Sequence, residues 1–270
     1  MDSTSIALQL EVAETEDLWG YKKRLAFIER VIRECFADRA TDTLRLLDVG
    51  CGNGSQLTLP LSKRGFQLTG IDVDERSIAK ANLLAAETAN ARFICGELKN
   101  LSATEPFDVV ILSEVLEHLA DPEQLLGAAL DHIGNDGVVI VTVPNGFGEF
   151  EWDSWMFRGL RLQAIVDTFA KSGREVVAST ENHESGHIQF FTRRRLHRIF
   201  GKFGLRIVCE HSGSFLSGPI IGHTLARSQR FVEWNARVTE RLPFSWASSW
   251  YFALRRAANG SSEAILDSLS

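Results

Sequence analysis

The sequence predicts an α/β fold, a doubly wound sheet of parallel strands with helices on both faces. Three observations predict it. Five short apolar runs, at 46–49, 66–73, 91–96, 107–113 and 137–143, alternate with helical patterns. The strongest of these runs are continuous rather than alternating, as strands buried on both faces are. The sharpest turn in the chain, Gly50-Cys51-Gly52-Asn53-Gly54, follows the first run at once. Glycine lets the backbone turn tightly and approach a ligand without a Cβ in the way.

The 270 residues are 44% hydrophobic and 24% charged, enough for one large or two small globular units. The net charge of −6 disfavours a broad nucleic-acid surface. Four scattered cysteines (Cys35, Cys51, Cys95, Cys209) suit buried thiols in a reducing compartment. The acidic N-terminus has no basic-then-apolar signal pattern, and no apolar run reaches membrane-spanning length. A cytoplasmic location is expected.

Taken in order, residues 1–16 are polar and loosely packed. A helix is expected from Asp17 to Phe36, where Leu25, Ile28, Val31 and Ile32 recur at helical spacing. Strand one and the glycine turn follow, then a short helix with Pro60 that kinks or starts late and ends at Gly65. Strand two closes on Asp72, a helix runs from Glu75 to about Thr88, and strand three ends before Glu97. Strand four leads into Glu114-Val115-Leu116-Glu117-His118, read as the start of a helical turn. Asp121-Pro122 opens a longer helix before strand five. Residues 146–186 are aromatic and irregular, and 187–192 are extended. Thr192 caps a helix with apolar face Leu196, Ile199, Phe200 and Phe203, stopped by Gly204. Leu205 to Cys209 is strand six, a helix spans about Thr224 to Arg241, Ser249 to Arg255 is strand seven, and the tail from 257 is frayed.

The run Asp48-Val49-Gly50-Cys51-Gly52-Asn53-Gly54 departs from the dinucleotide fingerprint, because Gly54 comes one residue early and Ser55 replaces the expected small residue. It resembles the first motif of class I S-adenosylmethionine (SAM)-dependent methyltransferases. The resemblance spans about 17–256, is strongest from 44 to 145, and leans toward the small-molecule branch similar to quinone-biosynthesis O-methyltransferases. It implies a seven-stranded Rossmann-like sheet whose last strand lies antiparallel between the fifth and sixth, with SAM as cofactor. Asp48, Gly50, Gly52 and Gly54 would form the first cofactor motif. Asp72, with Val73 beside it, lies at the strand end where a carboxylate accepts ribose hydroxyls. Glu97 would face the adenine amino group, Leu98 would pack on the ring, and Ser113 would lie on the same edge. Trp19, Tyr21 and Arg24 match the family's aromatic-then-arginine entry segment, so residues 1–43 would close over the cofactor held by 44–145.

Residues 146–256 are then the acceptor-side cover. Its aromatic residues, Trp152 and Trp155 among them, with His183 and Arg193, are candidate acceptor contacts. Glu114, Glu117 and His118 stand at i, i+3 and i+4, which on a helix is one face. Two readings compete there. In one, His118 or His187 takes the acceptor's proton. In the other, Glu114, Glu117, His118 and His187 bind a divalent metal, as in the similar metal-dependent ribose methyltransferases of small-RNA 3′ ends. Arg193, Arg194 and Arg195 begin a helix, where cations oppose its dipole and an anionic acceptor would relieve them. The expected activity is methylation of a hydroxyl on a small metabolite or sugar, with a non-catalytic SAM-binding partner subunit as the rival.

Overall fold

The computed structural model describes residues 16, 20–102, 105–146, 188–217, 221, 225 and 228–257. Its sheet contains β1 (Arg45–Val49), β2 (Gln67–Asp72), β3 (Ala91–Cys95), β4 (Phe107–Ser113), β5 (Ile133–Pro144), β6 (Leu205–Ser212) and β7 (Ser249–Arg256). They lie side by side in the order 3-2-1-4-5-7-6. The first five are parallel, and β7 runs antiparallel to both β5 and β6. The described helices are α1 (Tyr21–Cys35), α2 (Thr58–Lys63), α3 (Glu75–Leu84), α4 (Pro122–Asp131), α5 (Arg193–Lys202) and α6 (Gln229–Val238).

Alternate residues of each central strand point to opposite faces, so one strand feeds two cores. Val109, Ile111, Val138, Ile140 and Tyr251 pack with Tyr21, Leu25 and Ile28 of α1. Val110, Leu112, Val139, Val141 and Phe252 pack with Leu126 of α4 and Leu196 and Phe200 of α5. Both sets are essentially solvent-free, which explains the unbroken apolar runs.

Three of the described helix starts carry side-chain caps. Asp74 accepts from the Ser77 N–H, Asp121 from those of Glu123 and Gln124, and Thr192 from that of Arg195. α1 begins at Tyr21, after Gly20 in the left-handed conformation (φ 73°) and with no side-chain cap on Gly20. The Glu16 carboxylate does that work from upstream, accepting the N–H groups of Lys22 and Lys23 at 3.0 and 3.1 Å.

One helix start falls as expected and other boundaries differ. The helix after Gly54 starts late, at Thr58, because the left-handed glycine turn must close first. Pro60 then falls in its first turn, where no intrahelical N–H is needed. β5 begins four residues early at Ile133, and β6 runs on to Ser212. Residues 188–192 join no strand. The last long helix is shorter, Gln229–Val238, and tightens into a 3₁₀ turn at Thr239–Arg241. The aromatic segment around Trp152 and Trp155 lies outside the described residues, as do Trp19 and the tail beyond 257.

The carboxyl ends of β1 to β5, the end of β6 and the start of β7 meet on one edge. Gly54 is indispensable there for a packing reason. Its φ is +73°, and a Cβ would sit 2.5 Å from the Phe93 ring of β3. Gly54→Ala is expected to lower stability by about 2–3 kcal/mol, combining left-handed strain with overpacking. Adding Phe93→Leu should restore the packing part only. Urea unfolding of the single and double variants measures both parts, and an unchanged midpoint for Gly54→Ala would contradict this account of the turn.

Candidate active site

The glycine turn is fastened to β2. Gly50 and Cys51 donate their N–H groups to the Ile71 carbonyl at 2.8 and 3.2 Å, and Gly52 donates to Asp72 Oδ2 at 2.8 Å. Gly50, Gly52 and Gly54 all have positive φ (72°, 54° and 73°), which glycine adopts without a side-chain penalty. Asp72 Oδ1 accepts the Asp74 N–H at 2.9 Å. A carboxylate has about four lone-pair sites, so two remain for vicinal hydroxyls. Val73, 67% exposed, offers an apolar surface beside it. This pairing fits a nucleoside: hydroxyls on Asp72 and a ring along Val73.

Asp48 is the penultimate residue of β1, just before the glycine turn. It is buried, and its Oδ2 accepts the Thr58 hydroxyl at 2.5 Å, pinning the start of α2 to the end of β1. Burial pushes its carboxyl up to about 6, against the Thr58 hydrogen bond and with added repulsion from Asp72. Glu97 lies exposed beyond β3 and pairs with Lys99, while Leu98 is buried in the core beneath it.

The end of β4 carries the densest polar network. Glu114 has φ 54°, among the described residues the one non-glycine in the left-handed region. Its N–H donates to the Thr142 carbonyl at 2.9 Å, and its Oε1 accepts the Thr142 hydroxyl at 2.8 Å. The Ser113 and Thr142 hydroxyls are 2.9 Å apart. Buried Arg24 reaches across from α1, with Nη1 3.4 Å from Glu114 Oε1 and Nη2 donating to Gln56 Oε1 at 2.9 Å. Tyr251 of β7 lies beneath, its hydroxyl 3.4 Å from the Gly20 carbonyl.

Glu114, Glu117 and His118 therefore do not share a helix face. The left-handed residue breaks the run, and only Leu116–His118 form a single 3₁₀ turn. Glu117 is 1% exposed, and neither carboxylate oxygen has a hydrogen-bond partner among the described residues. Burial and the neighbouring Glu114 charge push its carboxyl well above the usual range, against the Glu117 backbone hydrogen bond and the attraction of Arg24. Its carbonyl accepts the N–H groups of Ile188 and Gln189, fixing the chain that re-enters before α5. His118 Nε2 lies 3.8 Å from Glu117 Oε1. Among the described residues no three His, Cys, Asp or Glu side chains converge as a metal requires, and Glu114 is already engaged by Arg24 and Thr142. His183 and His187 lie outside the described residues.

On the acceptor side, Arg193 is held by Glu210 of β6 and lies over the Phe244 ring, 5.0 Å from its centre. The dipole conflict at the start of α5 is thus met by the protein at Arg193. Sequence reasoning missed Gln56, Thr142, Tyr251 and Asn145. Thr142 and Asn145 left a trace, a hydroxyl inside an apolar strand and a polar residue at its exit.

The sheet order and glycine turn are those of the class I methyltransferase fold. The chain belongs to the methyltransferase-domain family, whose model matches residues 20–210. It is 36% identical over 130 residues to a ubiquinone biosynthesis O-methyltransferase from Caulobacter vibrioides, covering 45% of this chain and 51% of that protein. A second, from Caulobacter sp. strain K31, is 38% identical over 105 residues, covering 38% of this chain and 41% of that protein. The chain spans about half the length of the curated relatives it matches. Among solved structures, a SAM-dependent methyltransferase from Clostridium acetobutylicum superposes with TM-score 0.55 at 12% identity, covering 88% of this chain and 92% of that one. That match supports the fold.

The Asp48 environment has a measurable consequence. A carboxyl raised from its ordinary 3.8 to about 6 in the folded state contributes stability that is full below the ordinary value and lost as pH rises through about 6. Relative to Asp48→Asn, the wild type is expected to lose up to about 3 kcal/mol between pH 4 and 7. Urea titrations across that window test it. Parallel pH profiles for the two proteins would show that Asp48 ionises as an ordinary carboxyl.

Proposed function

We propose that the chain transfers the methyl group of SAM to a hydroxyl of a small metabolite. The observation that carries this is the pairing of His118 with the buried carboxyl of Glu117 at the end of β4, beside the glycine turn. SAM supplies an activated methyl on a sulfonium, so the protein's tasks are alignment and proton removal. Asp72 and the 50–54 turn orient the cofactor. Residues up to 43, through Tyr21 and Arg24, cover it, and 146–256 cover the acceptor. His118, whose Nε2 lies 3.8 Å from Glu117 Oε1, takes the acceptor proton. His187 is the second candidate base, and Trp152, Trp155 and His183 are candidate acceptor contacts. The relatives named for ubiquinone biosynthesis support O-methylation of a small acceptor.

Two variants separate cofactor from chemistry. Asp72→Ala should weaken SAM binding by roughly 1–3 kcal/mol through lost charged hydrogen bonds. His118→Ala should cut turnover of labelled SAM with a panel of catechols and sugars by about 10²-fold or more, with SAM affinity nearly unchanged. Wild-type SAM binding without transfer to any acceptor would instead favour a non-catalytic partner subunit. Normal turnover by His118→Ala would remove it as the base.

A further inference from the structure

We propose that a cleft at the end of β5 binds an anionic group of the acceptor, with Arg194 as its anion partner; this rests on the methyl-transfer reading above. The cleft has a volume of about 510 Å³ and is lined by Asn145, Thr192, Arg193, Arg194, Phe244, Ser245 and Trp250. That size suits a small organic molecule.

Its walls are fastened from several sides. Asn145 donates both side-chain N–H groups to the carbonyls of Ser245 and Ala247, and its backbone N–H to that of Ser248. Gly146 donates to the Phe191 carbonyl, which ties the start of α5 to the end of β5. Phe244 and Trp250 stack at 5.9 Å with an interplanar angle of 6°, and the Trp250 indole N–H is spent on the Phe244 carbonyl. With Trp250 buried and Arg193 over the Phe244 ring, this wall offers a ligand neither an indole donor nor an open aromatic face, and the arginines supply the recognition.

The cleft's charge is unbalanced. Glu210 and the Phe244 ring occupy Arg193, and Gln189 and the Phe190 carbonyl occupy Arg195. Arg194 is exposed and has no hydrogen-bond or ion-pair partner among the described residues. A guanidinium there, with no carboxylate of its own, selects a carboxylate or phosphate. Asn145 lies three residues beyond Thr142, which bonds Ser113 and Glu114. At strand spacing that is about 10 Å, which puts the cleft on the same edge of the sheet as Ser113 and Glu114.

The test compares 3,4-dihydroxycinnamate with its carboxamide, and 1-naphthyl phosphate with 1-naphthol, by calorimetry on the S-adenosylhomocysteine-loaded protein, and the catechol pair also by turnover. Wild type should bind at least one anionic probe about tenfold or more tightly than its neutral counterpart. Arg194→Gln should abolish that preference by raising the Kd and KM of the anion, with kcat for the catechol little changed. Arg198→Gln, which removes the same charge from the same helix outside the cleft, should keep it. Which pair shows the preference distinguishes carboxylate from phosphate. Equal binding of both members of both pairs, or a preference that survives Arg194→Gln, would overturn the subsite. Anion preference without methyl transfer would leave the subsite standing and overturn the activity instead.

Discussion

The site depends on one strained residue and what holds it. Glu114 leaves β4 in a left-handed conformation, which costs a non-glycine residue about 1 kcal/mol or more. Three contacts retain it there: its N–H on the Thr142 carbonyl, its carboxylate on the Thr142 hydroxyl, and the Arg24 guanidinium. They join β4, β5 and α1, whose residues are far apart in the chain. The strained residue turns the backbone so that Glu117 goes inward and His118 stays at the surface.

The same joint sets the electrostatics of the edge. Asp48, Asp72, Glu114 and Glu117 crowd the ends of β1, β2 and β4, and Asp48 and Glu117 are driven toward their neutral forms by burial and mutual repulsion. Arg24 is the buried cation among them. An edge this acidic suits a cationic sulfonium, because a positive ligand relieves repulsion already built into the protein.

Much of the fold was legible in the sequence, since burial on two faces writes unbroken apolar runs and a glycine triplet writes a turn. The place and antiparallel direction of β7 came from resemblance and agree with the sheet. The interior of the site was less legible. Helical spacing put Glu114, Glu117 and His118 on one face, but the spacing rule presumes helical backbone and Glu114 breaks it. The Arg193 charge run looked like an anion site, yet its partner Glu210 comes from a different element. Periodicity reports which side of an element is buried. It carries no information about ion pairs formed between elements far apart in sequence.

We propose that the Arg24–Glu114 contact seats α1 over a SAM site at the carboxyl edge of the sheet. A double-mutant cycle on SAM affinity, using Arg24→Met, Glu114→Gln and the pair, tests it most directly. The account predicts that each single change weakens SAM binding by about tenfold or more, and that the double change is no worse than the more damaging single one. Strictly additive losses, or SAM affinity untouched by either change, would contradict it.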